Sequence, residues 1–173
     1  MLCFISGYHT EYIHTYDKGR VDSLRNLKDV LIYYTPLSIY GFDAGSNSAL
    51  TFLVKTCSDA FVALVDARNM SSGENFYEIV IGAHRGRNFI FRRNGVGKTK
   101  IDSFNRQVLC NEYKPFWISW DQGHIQVGQG LDVDEEPIME FSDPTPFAVE
   151  AIGIMTSHGS NVHGSLISLV GSV

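Results

Sequence analysis

The chain has 173 residues, of which 44% are hydrophobic and 19% charged, and its net charge is −5. This length suits one domain with a full core, and the composition is typical of a globular all-β domain rather than of a disordered chain. The negative charge argues against general nucleic-acid binding, and no stretch is long and apolar enough to predict membrane insertion.

The N-terminus has no basic region, no long apolar run and no small-residue cleavage site, so we do not expect a signal peptide. We therefore expect a cytoplasmic protein or one released by a non-classical route. The three cysteines, Cys3, Cys57 and Cys110, form an odd and sparse set that does not predict a disulfide framework. Their apolar neighbours predict buried free thiols.

The chain reads as a series of short strands. Residues 1–28 are a polar and aromatic N-terminal segment that we expect to belong to the same fold as the domain at 29–173. Predicted strands at 30–35 and 37–40 are separated by Pro36, which suits an edge or a bend. Clear strands follow at 50–55, 60–65, 76–81 and 88–93, weak ones near 98–102 and 107–110, and later ones at 138–141, 147–156 and 165–170. The continuous apolar run at 60–65 predicts a central strand.

These elements, with the hairpin described next, amount to about ten strands at the spacing typical of sandwiches. No helical pattern is long enough for a crossover between parallel strands. We predict a single-domain, jelly-roll-like antiparallel β-sandwich.

Residues 115–130 predict a hairpin with a two-residue turn at Gln122-Gly123. Gly123 supplies the left-handed backbone angle that such turns need. Because a one-residue slip moves every side chain across the sheet, the register with the cleaner faces is favoured. It pairs Trp120 with Ile125 and Ile118 with Val127. The other face then carries Trp117, Ser119, His124 and Gln126.

The first candidate ligand patch is Trp117 with His124 and Gln126 on this outer hairpin face. An aromatic ring beside amide and imidazole groups suits a sugar, which presents C–H and hydroxyl groups together. The alternative is that a second sheet covers the face and Trp117 belongs to the core, since large aromatic residues are mostly buried.

The second candidate patch lies in a basic cluster of an otherwise acidic chain, formed by His84, Arg85, Arg87, Arg92, Arg93, Lys98 and Lys100. Its candidate ligand residues are His84, Arg85, Arg87 and Arg92. Arginine gives forked hydrogen bonds, so these residues suit an anionic or polyhydroxyl ligand. The alternative is an exposed loop and an edge strand protected by charge. The acidic residues 132–136 lack the spacing of a calcium loop and are more typical of a solvated loop, so no metal site is predicted.

The order of several motifs resembles the farnesoic acid O-methyltransferase-like domain family of invertebrates, over about residues 30–166. The matching motifs are Phe52-Leu-Val-Lys55, Ser58-Asp-Ala60, Tyr77-Glu-Ile-Val-Ile-Gly82, Ile90-Phe-Arg92, Phe116-Trp-Ile-Ser-Trp120 with Gly123, Ile125 and Val127-Gly128, and Gly153-Ile-Met-Thr156. The chain departs from the family at Ala83-His-Arg85, where a Gly and a Trp before an Asn are more frequent. The family offers no motif to carry over as catalytic.

The resemblance implies a β-rich recognition module of the kind used in invertebrate innate immunity. The family name implies methyl transfer, but most enzymes that use the adenosyl methyl donor hold it at a Gly-rich strand-to-helix turn, and no such unit is present in the sequence.

We therefore predict a non-enzymatic, lectin-like domain without a cofactor that binds a glycan or glycoprotein. Such sites are individually weak, so a homo-oligomer is expected to gain strength by avidity. Two alternatives stay open: a self-associating structural or protein-interaction module, and, less favoured, a farnesoic acid O-methyltransferase.

Overall fold

A computed structural model describes residues 8–19, 27–94, 97–104, 108–157 and 165–172. The strands in this part of the chain are β1 Tyr8–Thr15, β2 Thr35–Pro36, β3 Ala49–Lys55, β4 Ala60–Val65, β5 Asn75–Gly82, β6 Arg87–Asn94, β7 Gly97–Phe104, β8 Lys114–Asp121, β9 His124–Gln129, β10 Pro137–Ser142, β11 Ala151–Thr156 and β12 Ser165–Ser172. The helices are short: α1 Leu27–Leu31, α2 Ala83–Gly86 and 3₁₀ turns at Leu37–Tyr40, Ala44–Ser46 and Met70–Ser72. Within the described ranges, no helix has the length and apolar character needed to cross a membrane.

The strands form two six-stranded antiparallel sheets. Sheet A has the order β1-β12-β3-β8-β9-β10, and sheet B has the order β2-β11-β4-β5-β6-β7. This arrangement confirms the predicted antiparallel β-sandwich. Strand β4 lies between β11 and β5, which matches the central position predicted from its continuous apolar sequence.

The main core lies between the two sheets, and the strands that line it alternate as expected. In β3, for example, Leu50, Phe52 and Val54 are buried and point inward. Sheet B is apolar on both faces, because a second cluster around Val30, Leu31, Tyr34 and Met70 covers its outer face. Every residue of β4 is therefore buried.

The hairpin adopts the predicted register. Trp120 pairs with Ile125 and Ile118 with Val127. Gln122 has a φ of 46° and Gly123 a φ of 82°, so both turn residues are in the left-handed region, as a tight two-residue turn requires. The sequence therefore predicted which side chains of the hairpin face the core and which face outward.

Several strand predictions are wrong, including the weak one near 107–110, where the described residues 108–110 form no strand. The segment predicted as strands at 30–35 and 37–40 contains the end of α1, a two-residue strand β2 and a 3₁₀ turn. Val30, Leu31 and Tyr34 pack together over sheet B, which needs the spacing of a helical turn rather than alternation. The strand predicted at 147–156 begins only at Ala151, because the preceding residues cross from sheet A to sheet B.

The cysteine prediction is also wrong for the two cysteines that the structure describes. Cys57 and Cys110 are joined by a disulfide, with their Cα atoms 4.1 Å apart, and both residues are exposed. The bond ties the β3–β4 turn to the segment before β8, and the Thr56 N–H also donates to the Leu109 carbonyl at 3.1 Å. The two residues are 53 positions apart, so local sequence gives no sign of the pairing. Cys3 lies outside the described residues.

Reduction of this disulfide should destabilise the fold. A loop of this length corresponds to about 4 kcal/mol in the chain-entropy treatment of cross-links. We expect the double variant Cys57→Ser/Cys110→Ser, and the wild-type protein in excess dithiothreitol, to lose a similar part of the free energy of unfolding. Urea titration measures the loss. A wild-type protein that dithiothreitol leaves unchanged, together with three free thiols instead of one by titration of the unfolded, unreduced protein, would contradict the pairing.

Candidate functional site

The outer face of sheet A carries hydrogen-bonding side chains on the hairpin β8–β9 and the neighbouring strand β10. Cross-strand pairing sets them in two rows, one formed by Ser119, Gln126 and Glu140 and the next, toward the turn, by Asp121, His124 and Ser142. We call these six residues the outer-face strip. Adjacent strands are about 4.8 Å apart, so each row spans roughly 10 Å from the first Cα to the third.

Most of the strip has no side-chain partner among the residues that the structure describes. His124 Nδ1 lies 3.0 Å from Ser142 Oγ. The side chains of Ser119, Gln126 and Glu140 make no hydrogen bond or ion pair with any residue that the structure describes. Ser119 and Gln126 are half-buried, and Glu140 is exposed. Donors and acceptors are thus available on a backbone that the sheet holds rigid.

Trp117 lies on this same face but is covered. Its indole packs against Gly128 on the opposite strand, where there is no room for a Cβ atom. The ring has 0% exposure, and its Nε1–H donates to the Glu135 carbonyl at 2.7 Å. Trp117 therefore offers no ring face to a ligand. The prediction that it stacks on a sugar is wrong, because the ring is buried and supports the loop above it. The cover is the loop after β9, not a second sheet.

This loop, residues 131–136, is called the acidic loop below. Its backbone is bonded to the sheet: Gly130 N–H donates to the Pro115 carbonyl at 3.0 Å, and Gln129 N–H donates to the Glu136 carbonyl at 3.1 Å. Asp134 and Glu136 have positive φ values of 71° and 48°. All six of its side chains are exposed. Across the described residues, no three His, Cys, Asp or Glu side chains are placed to hold a metal ion.

The predicted basic patch is divided by the structure. Arg87 and Arg92 are five positions apart on β6 and therefore point to opposite faces of sheet B. Arg87 is exposed on the outer face, with its guanidinium carbon 5.6 Å from the Phe89 ring centroid. Arg92 points inward and is paired with Asp143. His84 and Arg85 lie in α2, and their side chains are outside the described part of the structure.

Arg92 fastens the segment that follows β10. It forms an ion pair with Asp143 and donates from Nη2 to the Thr145 carbonyl at 3.1 Å. The Tyr77 hydroxyl donates to the same carboxylate at 2.8 Å. Burial raises the pKa of Asp143, but hydrogen bonds from the Thr145 N–H, Arg92 and Tyr77 outweigh it, so the pKa lies below its usual value. Burial and the bond to Asp143 raise the pKa of Tyr77 well above its usual value.

An apolar cleft of about 520 Å³ opens at the end of the sandwich, between the hairpin turn and residues 146–149. Its lining residues are Tyr77, Trp120, Gln122, Gly123, Ile125, Pro146, Phe147, Ala148 and Val149. The Tyr77 and Phe147 rings are stacked, with centroids 4.4 Å apart. Sequence reasoning missed this cleft, because its walls come from three separate segments and each one resembles ordinary core or turn sequence.

The chain is similar to a known family, to a molluscan protein and to solved β-sandwich structures. Residues 24–164 match the family described as "Farnesoic acid 0-methyl transferase". A Haliotis asinina protein, "Uncharacterized protein 5", is 26% identical over 117 residues, and the match spans 62% of each chain. The crystal structure of Caenorhabditis elegans galectin LEC-6 has a TM-score of 0.55 at 14% identity, covering 92% of this chain and 95% of that one. At this identity, the structural likeness concerns the fold.

Asp143 should contribute to stability in a pH-dependent way. Asp143→Asn keeps an acceptor for Tyr77 but removes the charge opposite Arg92, and breaking a buried pair costs about 3 kcal/mol. Because the folded pKa lies below the unfolded value of 3.8, the contribution of the carboxylate is complete above that value. It is lost as the pH falls through the folded pKa. The free energies of unfolding of the two proteins, measured with urea, should differ by the full amount at pH 7 and by less at pH 2.

The control is Glu150→Gln, because the partner of Glu150 is the exposed Arg68, at 3.3 Å. That variant should change stability little at either pH, since exposed ion pairs contribute little. A difference between wild type and Asp143→Asn that is the same at pH 7 and pH 2 would show that the carboxylate charge is not what stabilises this segment.

Proposed function

The chain belongs to the farnesoic acid O-methyltransferase family, and within that family we propose that it is a non-enzymatic recognition domain that binds carbohydrate through the outer-face strip. The family assignment covers residues 24–164. The family name refers to methyl transfer, whereas the side chains on the outer face of sheet A favour ligand binding.

The unpaired hydrogen-bonding groups in register on the strip carry this proposal. Ser119 offers a hydroxyl, Gln126 an amide and Glu140 a carboxylate, from three adjacent strands in one row. A sugar presents several hydroxyl groups at similar spacing, and each is both a donor and an acceptor. Because the sheet fixes the spacing of the three backbones, a ligand has to order only the side-chain rotamers and not the residues themselves.

The strip also predicts weak binding at each site. It is shallow and open to water, and Trp117 is not available for stacking because it is fully buried. We therefore propose a homo-oligomer that gains strength by presenting several strips at once. Ile32 and Ile39, which flank the short edge strand β2, are 64% and 66% exposed and are candidate contacts for self-association.

We further propose that the protein acts outside the cytoplasm. Of the two locations expected from the sequence, the released form is favoured by the disulfide between Cys57 and Cys110, since disulfides persist in oxidising compartments. Recognition of foreign glycans in innate immunity suits such a location.

Carbohydrate binding is tested on a glycan array with the purified protein, followed by titration of the best glycan. Gln126→Ala removes the central amide of the strip. We expect it to weaken binding about tenfold, as loss of a hydrogen bond of about 1.4 kcal/mol would, while thermal stability stays unchanged.

Ala148→Trp is the matched control, because Ala148 is an exposed residue that lines the end cleft. A tryptophan there fills the cleft and leaves the strip untouched, so glycan binding should persist. If Ala148→Trp abolishes binding and Gln126→Ala does not, the site is the cleft. If no glycan binds the wild-type protein at high concentration, the proposed function is wrong.

Methyl transfer is the second candidate, and the family name is what favours it. All the sheet pairings among the described strands are antiparallel. The Gly-rich turn between a parallel strand and a helix, which usually holds the adenosyl donor, does not occur among them. Calorimetry with S-adenosylmethionine should give no heat of binding. A saturable binding heat, together with methylation of farnesoic acid, would replace the recognition proposal with an enzymatic one.

A further inference from the structure

We propose that the glycan site discriminates by charge, accepting uncharged and amino sugars and rejecting sugars that carry a carboxylate, sulfate or sialic acid. This inference rests on the proposed function, because it concerns the ligand class of the outer-face strip. It reverses the expectation drawn from the basic residues, which pointed to an anionic or polyhydroxyl ligand.

The acidic loop lies beside the strip. The Glu135 carbonyl accepts from Trp117 Nε1 at 2.7 Å, and Trp117 pairs with Gly128 in the row next to that of Ser119 and Gln126. The loop backbone therefore crosses the outer face one row from the strip. Residues two apart on a strand are separated by about 7 Å, so the loop forms a wall beside the row that would hold the sugar.

The charged side chains of the loop and the strip are negative. Six exposed carboxylates lie on the loop and the strip, four on the loop and two within the strip, namely Asp132, Asp134, Glu135, Glu136, Asp121 and Glu140. The loop backbone at Glu135 is about 7 Å, one row, from Ser119 and Gln126, which is within one Debye length at physiological salt. An anion bound there meets repulsion that water and salt reduce but do not remove, whereas an ammonium group meets attraction.

Among the described strands, lysine and arginine side chains that could compensate this charge are nearly absent from the outer face. Lys55 is the one lysine or arginine that the register of the described strands places on the outer face of sheet A. It lies three rows beyond Ser119, toward the far end of β3, and its Nζ is 5.6 Å from the Tyr113 ring centroid. The arginines whose side chains are described near sheet B are directed elsewhere. Arg92 is paired with Asp143, and Arg93 with Glu78.

Trp117 is a positioning residue in this scheme. Its indole N–H holds the Glu135 backbone over the sheet, and the indole fills the space above Gly128. Trp117→Phe keeps an aromatic ring but removes the hydrogen bond. The loop should then move more freely, so the variant is expected to lose charge discrimination while still binding uncharged sugar.

The test uses three multivalent conjugates that share one sugar ring and differ in a single substituent: a hexose, the corresponding hexosamine with an amine at C2, and the corresponding hexuronic acid with a carboxylate at C6. For the wild-type protein at low salt, we expect the hexosamine to bind at least as tightly as the hexose and the hexuronic acid about tenfold more weakly. The differences should narrow as the salt concentration rises, because exposed charges are screened.

Two neutralising variants and one control complete the test. Glu140→Gln and Glu135→Gln should each raise hexuronic acid binding about two- to threefold, and Glu135→Gln leaves the backbone carbonyl that Trp117 uses. Glu74→Gln makes the same change in net charge at an exposed position before β5 and should alter nothing. If none of the conjugates binds, the proposed function itself fails. If they bind equally at all salt concentrations, or the hexuronic acid binds best, only the charge selection is wrong.

Discussion

The alternation of the β8–β9 hairpin is the constraint on which both the core and the candidate site depend. One turn, with Gln122 and Gly123 both at positive φ, sets which side chains face inward. Trp120, Ile118, Ile125 and Val127 then enter the core, and Ser119, Gln126 and His124 face outward. A slip of β9 by one residue would bury the amide of Gln126 and the imidazole of His124 without partners and expose two aliphatic side chains, so the penalty for that register is large. Stability and ligand access are therefore decided by the same choice of register.

Two buried carboxylates, one on each face of sheet B, form a second constraint on the fold. On the inner side, Asp143 joins Tyr77 and Arg92; on the outer side, Glu78 joins Tyr34 and Arg93. Both arginines are consecutive on β6, so alternation sends one to each face. Each group ties a covering segment to the sheet, residues 143–149 on one side and the α1 region on the other. Arg92, which the sequence places in a candidate ligand patch, is thus used to hold the fold together, whereas Arg87 of the same patch is exposed.

These arrangements explain which parts of the molecule were accessible to prediction. Where paired strands are close in sequence, as in the hairpin, local alternation and the turn residues determine the register. The register of the hairpin was predicted correctly for this reason. Features that depend on distant contacts were not. The disulfide joins residues 53 positions apart, and the helical turn before β2 forms because Val30, Leu31 and Tyr34 fit over sheet B.

The candidate site shows the same division between local and distant information. His124 and Gln126 were placed on the outer face by alternation, whereas the burial of Trp117 depends on a loop folding back over Gly128. A solvated acidic loop was the expectation from composition, and its side chains are exposed, but nothing local shows that its backbone crosses the sheet. That crossing changes the chemistry of the face. It covers the aromatic ring that alternation predicts as a stacking surface. If the strip binds glycans as we propose, the same crossing exchanges affinity for discrimination by charge. We propose several copies acting together for this reason, because hydrogen bonds exchanged with water contribute little singly and linked sites multiply that small contribution.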